Sequence, residues 1–159
     1  MSAERFRAIV AVHLFLVRDE SVLLLRRAHT GYEDGNYSVP AGHLEGGETA
    51  RAACAREALE ETGIHVAERN LRFALVMHRR AETERIDFFF SATEWDREPR
   101  NEEPEKCDEL RWSSFAELPA NTVPYVRHAF EAWRSGTRYM EFGWERGRRR
   151  GVPLAILGL

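Results

Sequence analysis

The sequence contains a single lysine, Lys106, and only two cysteines, Cys54 and Cys107, among its 159 residues. Two cysteines are too few for a disulfide framework, which suits a reducing compartment. Apolar runs are short as well, and the first one stops at Arg18, so neither a signal peptide nor a membrane span is predicted. We therefore expect a cytoplasmic protein.

No strong excess of charge marks the chain, whose formal net charge is -3. Such a balance provides no general attraction to nucleic acid or to an anionic membrane, and neither is expected as a partner. Hydrophobic residues make up 43% and charged residues 31%, as in globular rather than disordered proteins. The length fits one domain, predicted over residues 1–142. An arginine-rich tail over residues 143–159 is expected either to be mobile or to pack on the domain or on a partner.

Segments typical of strands and helices are interleaved along the chain. Strands are predicted over residues 8–17, 22–25, 37–39, 71–77, 85–95 and 110–112. Helices are predicted over residues 50–62 and 124–135, and Ser114 with Glu117 predicts a further short helical turn. This order indicates an α/β (α+β) fold with helices packed on a mixed sheet.

The helix over residues 50–62 has the clearest signals, because Thr49 can cap its start and Gly63 can end it. Its spacing separates two faces. The residues expected against the sheet are Ala52, Ala55, Leu59 and Thr62, and those expected to face a cleft are Glu57, Glu60 and Glu61. Clustered carboxylates suit a hard divalent cation, although a solvated acidic face would look the same.

The loop before this helix makes the pattern specific. From Gly42 to Ile64 the sequence reads GHLEGGETARAACAREALEETGI. It resembles the complete Nudix box, which is a glycine, five residues, a glutamate, seven residues, Arg-Glu, an apolar residue, any residue, Glu-Glu, any residue, a glycine and an apolar residue. The fixed positions are held by Gly42, Glu48, Arg56, Glu57, Glu60, Glu61 and Gly63. Ala58 is small for its apolar position, a departure that concerns packing only.

Similarity to MutT-like Nudix hydrolases extends over most of residues 8–135 and implies the Nudix fold, a mixed sheet sandwiched by helices. The resemblance implies Mg²⁺ as the cofactor, with Mn²⁺ as a substitute. It assigns Glu57 and Glu61 as metal ligands and Glu60 as an assisting one, together with the backbone carbonyl of Gly42. Supporting roles fall to Glu48 and Arg56, which are expected to pair, and to Gly63.

Residues outside the box complete the expected site. A loop glutamate contributes to the metal site in MutT-like members, and Glu103 and Glu105 are equal candidates for the general base, with Glu102 behind them. A box glutamate is an alternative base. Substrate phosphates could be met by Arg26, Arg27 and Lys106, although exposed arginines at strand ends are more often simply solvated.

The predicted activity is hydrolysis of a phosphoanhydride bond in a nucleoside diphosphate linked to another group. A nucleoside triphosphate yielding the monophosphate and pyrophosphate is preferred, because no longer motif of NADH pyrophosphatases or of coenzyme A hydrolases is found. Nucleotide sugars, ADP-ribose and dinucleoside polyphosphates remain open, as does a homodimer. Two other classes are a non-catalytic nucleotide sensor, disfavoured by the undamaged box, and an isomerase, disfavoured by the lack of a matching cysteine arrangement.

Overall fold

The computed structural model describes residues 3–144, so the predicted tail lies outside the described residues from position 145 onward. Its strands are β1 (Ile9–Arg18), β2 (Ser21–Arg27), β3 (Tyr37–Ser38), β4 (Ala41–His43), β5 (Arg72–Arg80), β6 (Glu84–Ala92), β7 (Cys107–Ser114) and β8 (Tyr139–Phe142). Its α-helices are α1 (Ala50–Thr62) and α2 (Pro124–Arg134), and Glu68–Asn70 forms a 3-10 turn. None of the helices in this part of the chain is long and apolar enough to cross a membrane.

The strands of residues 3–144 form one mixed sheet. Its main order is β3-β2-β1-β6-β5-β8, with β4 paired to β1 and β7 paired to β2. Strands β1 and β6 run parallel, as do β5 and β8, and the other pairs are antiparallel. Strand β1 is therefore central: it pairs with β6 along most of its length, with β2 at its end and with β4 nearer its start.

Helices cover both faces of this sheet, as the sequence predicted. Because side chains alternate along a strand, Leu14 and Leu16 of β1 pack in a core with Ala53 and Ala58 of α1. Phe15, between them, belongs to a second core that includes Phe130 of α2. The two cores, one on each face of the sheet, give the predicted α+β sandwich. The core that includes α1 fixes this helix against the sheet, where it also contacts β4.

Helix α1 has the predicted ends and a different buried face. The Thr49 hydroxyl accepts a hydrogen bond from the Ala52 amide at 3.1 Å, and Gly63 ends the helix in the left-handed region at φ 70°. The buried residues are Ala53, Cys54, Ala58 and Thr62, and Ala55 is partly buried against the same core; the prediction for Ala52 and Leu59 was wrong. Small residues recur on several sides of this helix, so its spacing could not select the face.

Several strand boundaries also differ from those predicted. Strand β7 is longer than the predicted 110–112 segment because it pairs along β2 from Ser21 to Arg27. Strands β4 and β8 were not predicted, since each is short and is defined by pairing with a distant strand. The helical turn predicted after Ser114 is wrong: the Ser114 hydroxyl accepts from the Ala116 amide in a simple turn.

Candidate active site

Arg56 connects the start of the box loop to the carboxylates of α1. Its Nε and Nη2 donate to the two oxygens of Glu48 at 3.1 and 2.8 Å. Its Nη1 donates to Glu57 Oε1 at 2.9 Å and lies 3.4 Å from Glu60 Oε2, while Nη2 also donates to the His43 carbonyl at 3.1 Å. The predicted contact between Arg56 and Glu48 is thus present, and it ties the loop to the helix.

The loop is tightened further by the Glu48 carboxylate, which accepts a hydrogen bond from the Glu45 amide at 2.7 Å. Arg56 first of all, together with this amide, lowers the pKa of Glu48, so that carboxylate stays charged. The Glu48 carboxylate therefore accepts hydrogen bonds from the loop backbone and from Arg56. These contacts agree with a supporting role for Glu48.

Gly42 and Glu57 are in direct contact across β4 and α1. A Cβ built on Gly42 would lie 2.0 Å from the Glu57 carboxyl carbon, which no real side chain could tolerate without a shift. The Gly42 backbone and the Glu57 carboxylate therefore lie side by side. Only glycine leaves room for this approach.

Glu61 lies one turn further along α1 and is more enclosed. Its Oε2 accepts a hydrogen bond from the Ala41 amide at 2.9 Å. Burial first of all, together with the charges of Glu57 and Glu103, raises the pKa of Glu61 to about 8 against the opposing effects of the Ala41 amide and Arg27. Burial likewise raises the pKa of Glu57, although Arg56 opposes the shift. The site thus gathers carboxylates that repel one another in a poorly solvated place.

The loop before β7 brings Glu103, and not Glu105, to these carboxylates. The half-buried Glu103 lies close enough to Glu57 and Glu61 to act on the pKa of both, and it contacts Lys106 Nζ at 3.3 Å. Glu105 is exposed. The Glu102 amide donates to the Glu61 carbonyl at 3.2 Å, so the backbone of this loop is attached to the end of α1.

The remaining cations predicted from the sequence occupy different surroundings. Arg26 is neutralised by Asp108, with Nε 2.6 Å from Oδ1, and by Glu109 at 3.3 Å. Arg27 donates instead to the carbonyl of Tyr32 at 2.8 Å and lowers the pKa of Glu61, which places it near the carboxylates. The structure therefore brings Lys106 to Glu103, while Arg27 contacts the Tyr32 backbone and Arg26 is engaged elsewhere.

The donor set suits a divalent cation. Carboxylate and carbonyl oxygens are the ligands preferred by hard ions, and the pKa values of Glu57 and Glu61 are raised first by burial and then by neighbouring carboxylates. Within residues 3–144 no group of three or more acidic, histidine or cysteine side chains is arranged to hold a metal ion, and the Glu57 carboxylate is turned to Arg56.

One polar cluster near this site was missed at the sequence level. It consists of His13, Arg79, Asp87 and Tyr125. His13 was interpreted as a half-buried strand residue, and the other three had no assigned role. The four residues of this cluster come from β1, β5, β6 and α2, so no spacing along the sequence could have indicated the cluster.

A carboxylate-bearing helix held by an arginine against a glycine loop, on a sheet covered by helices, suits metal-assisted chemistry on phosphate groups. The sequence model of the NUDIX domain family matches residues 7–133. The chain therefore belongs to the Nudix family. The predicted family, fold class and enzyme class are confirmed.

Individual relatives agree with this assignment. An NAD-capped RNA hydrolase NudC from Escherichia coli O1:K1 / APEC is 34% identical over 107 residues, which are 67% of this chain and 39% of that protein. The chain thus spans about two fifths of the length of the curated relatives it matches.

Two solved structures share the fold. A MutT NUDIX hydrolase from Burkholderia pseudomallei is 26% identical with a TM-score of 0.73, covering 79% of this chain and 98% of the other. A NUDIX hydrolase from Nitrosomonas europaea is 27% identical with a TM-score of 0.71, covering 96% and 97%.

Proposed function

We propose that this protein is a Mg²⁺-dependent hydrolase of nucleoside triphosphates that releases a nucleoside monophosphate and pyrophosphate. The observation that carries the proposal is the group of Glu57, Glu61 and Glu103, whose charges act on one another beside the Gly42 backbone. A site of this kind attracts a divalent cation and, with it, the charged oxygens of a polyphosphate. Family members generally use divalent metal ions, which supports the same choice.

Glu57, Glu61 and the Gly42 carbonyl would hold the metal, with Glu60 and Glu103 assisting. When bound, the ion would neutralise phosphate charge and activate water. Glu60 is the more exposed helix carboxylate, with half of its side chain accessible, so it would act from the rim of the site. Glu103 contacts only Lys106 among the cations of residues 3–144, so we assign it the role of accepting a proton from water.

The chain's own cations serve the substrate. Arg27, whose charge lowers the pKa of Glu61, and Lys106, which contacts Glu103, would meet phosphate oxygens at the edge of the carboxylate group. Arg26 is already paired with Asp108 and Glu109 and is not proposed as a phosphate contact. The carboxylates of Glu57, Glu61 and Glu103 would therefore have cationic side chains beside them where the substrate phosphates bind.

The test is a product assay with Mg²⁺ on nucleoside triphosphates, NAD, ADP-ribose, a nucleotide sugar and a dinucleoside polyphosphate. We expect a monophosphate and pyrophosphate from the triphosphates. Glu57→Gln and Glu61→Gln should each lower turnover by about a thousandfold, as expected when several kcal/mol of charge stabilisation are lost. The control is Glu131→Gln, on the exposed side of α2. Unchanged turnover in both box variants, with native circular dichroism, would refute the proposal.

A second candidate substrate is a dinucleotide of the NAD type. It is favoured by the relatives named NAD-capped RNA hydrolase, which are 34% identical over 107 residues. Cleavage of its central diphosphate would use the same carboxylates and would yield two monophosphates without pyrophosphate. The products therefore separate the two candidates in the same assay.

A further inference from the structure

Strand β7, residues 117–120 and α2 together line a cavity of about 600 Å³. Cavities of this size commonly hold small molecules. Among the strands of residues 3–144, β7 pairs with β2 alone, so the cavity lies beside an edge of the sheet. None of the box carboxylates belongs to its lining, and the cavity is therefore separate from the candidate active site.

The register of β7 places two polar side chains in this lining. Arg111 lies opposite Leu24 of β2, and Ser113 lies opposite Val22. Leu24 and Val22 both belong to the core that includes α2. Because directly opposed residues of antiparallel strands extend to the same face of the sheet, Arg111 and Ser113 extend to the face that α2 covers.

The two arginines of the cavity, Arg111 and Arg127, have no carboxylate partner. The Cζ atom of Arg111 lies 5.6 Å from the centroid of the Tyr37 ring, and Nη2 of Arg127 donates to the Pro119 carbonyl. Neither guanidinium pairs with a carboxylate of residues 3–144, whereas Arg26 in the neighbouring strand is paired with two. Two guanidinium groups that line one cavity without counter-ions favour an anionic ligand.

Ser113 provides an independent observation at the same place. Its side chain is 3% exposed, and its Oγ has no hydrogen-bond partner among residues 3–144. A buried hydroxyl without a partner costs free energy, and most buried polar atoms in native proteins are paired. An oxygen atom of a ligand held by the two arginines would provide the missing partner.

The remaining walls limit the kind of anion. Glu117 lines the cavity from an exposed position, so one negative charge opposes the two positive ones. Leu118 and Pro119 are partly buried and form an apolar part of the lining. A small organic molecule with one anionic group fits this combination better than a highly charged polyphosphate.

We propose that this cavity binds a small organic phosphate monoester. Arg111 and Arg127 would hold the phosphate, the Ser113 hydroxyl would donate to it, and Leu118 and Pro119 would contact the organic part. Donors from three side chains suit the three terminal oxygens of a phosphate group better than the two oxygens of a carboxylate. The volume of the cavity exceeds that of a phosphate group and leaves room for the organic part.

This site is distant from the candidate active site, and the inference does not depend on the proposed function. The Cys107 amide donates to the Glu103 carbonyl at 2.9 Å, so the Glu103 loop adjoins the first residue of β7. Ser113 lies near the other end of the strand, roughly 20 Å away at the usual rise per residue. A phosphate monoester bound here would not contact the box carboxylates.

The test is calorimetric titration of the native protein with ribose 5-phosphate, inorganic phosphate and ribose, at constant ionic strength and in EDTA. EDTA removes divalent metal, so a phosphate group cannot be held through a metal ion at the box carboxylates. We expect one site for ribose 5-phosphate, with an affinity about fivefold or more above that of inorganic phosphate. Ribose alone should give no measurable binding.

Variants of the lining identify the site. Arg111→Gln should weaken the binding of ribose 5-phosphate by about tenfold or more, as expected for loss of charge-assisted hydrogen bonds. Ser113→Ala should weaken it by about threefold. Glu117→Gln should strengthen it by about twofold, because a like charge is removed. Arg127→Gln is less informative, since Arg127 also holds the Pro119 carbonyl.

Two control variants keep the native lining. Arg72→Gln removes an exposed arginine from β5, outside the cavity, and should leave the affinity unchanged. Glu57→Gln alters the box and should also leave it unchanged. Loss of Mg²⁺-dependent cleavage would refute the proposed function without affecting these titrations.

Three results would overturn the inference. The first is the absence of saturable binding of ribose 5-phosphate to the native protein. The second is an affinity that Arg111→Gln leaves unchanged, or that Arg72→Gln lowers equally, because the phosphate would then respond only to the overall charge. The third is inorganic phosphate that binds as tightly as ribose 5-phosphate, which would exclude a contact with the organic part.

Discussion

The Glu57 carboxylate lies against the backbone of Gly42, so closely that a Cβ on residue 42 would be 2.0 Å from its carboxyl carbon. Since the obstructing atoms belong to the end of a flexible side chain, Gly42→Ala should displace Glu57 rather than unfold the protein. We expect kcat to fall about a hundredfold, as for loss of one preorganised group, with little change in thermal stability. Steady-state kinetics and a melting curve measure both effects.

Gly46→Ala is the matched control for that substitution. Nothing lies within 4 Å of a Cβ at position 46, and its φ is not in the left-handed region. Its kcat should stay within about twofold of native, because surface substitutions away from special features have small effects. Equal losses in the two variants would mean that loop stiffness, and not the position of Glu57, controls activity.

Glu61 should make the metal-free protein less stable as the pH rises. Burial raises its folded pKa to about 8 from an ordinary value of 4.5, so between these values the folded state binds more protons than the unfolded state. The free energy of unfolding then falls with pH, by at most about 1.4 kcal/mol per pH unit for one proton. Urea unfolding in EDTA across pH 4.5 to 8 measures the slope, and Glu61→Gln should flatten it. If the free energy of unfolding still falls with pH in Glu61→Gln, another titrating group causes the dependence.

His13 should have the opposite dependence on pH. Burial lowers its pKa from 6.5 to about 4, against the charge of Asp87, so the unfolded state binds more protons between these values. The contribution of neutral His13 to stability is present above pH 6.5 and is lost as the pH falls through 4. His13→Gln should remove this loss in acid unfolding curves. An unchanged acid limb in that variant would contradict the assignment.

Glu103 and Glu105 should differ in their effect on catalysis. Glu103 acts on the pKa of both Glu57 and Glu61, whereas Glu105 is exposed. We expect Glu103→Gln to lower kcat by about 100-fold, within the usual contribution of a general base, and Glu105→Gln to leave it nearly native. The pH profile of kcat should lose its acidic limb only in Glu103→Gln. Similar kinetics in the two variants would exclude Glu103 as the base.

Local features of the chain were predictable where the physical cause is local. The bounds of α1 follow from Thr49 and Gly63, since a cap and a left-handed stop act within one turn. The box residues are spaced along one loop and one helix, so their joint presence could be recognised before any contact was known. The contact of Arg56 with Glu48 was expected for the same reason.

Tertiary contacts decided the rest. The buried face of α1 could not be chosen from its alanines, because only packing on β1 distinguishes Ala53 from Ala52. Glu103 and Glu105 are equivalent in a loop sequence until the fold places one beside Glu61. His13 and Tyr125 are 112 positions apart, and their hydrogen bond exists because β1 and the start of α2 meet on one face of the sheet. Such encounters depend on the register and layering of the whole fold, which short-range spacing does not encode.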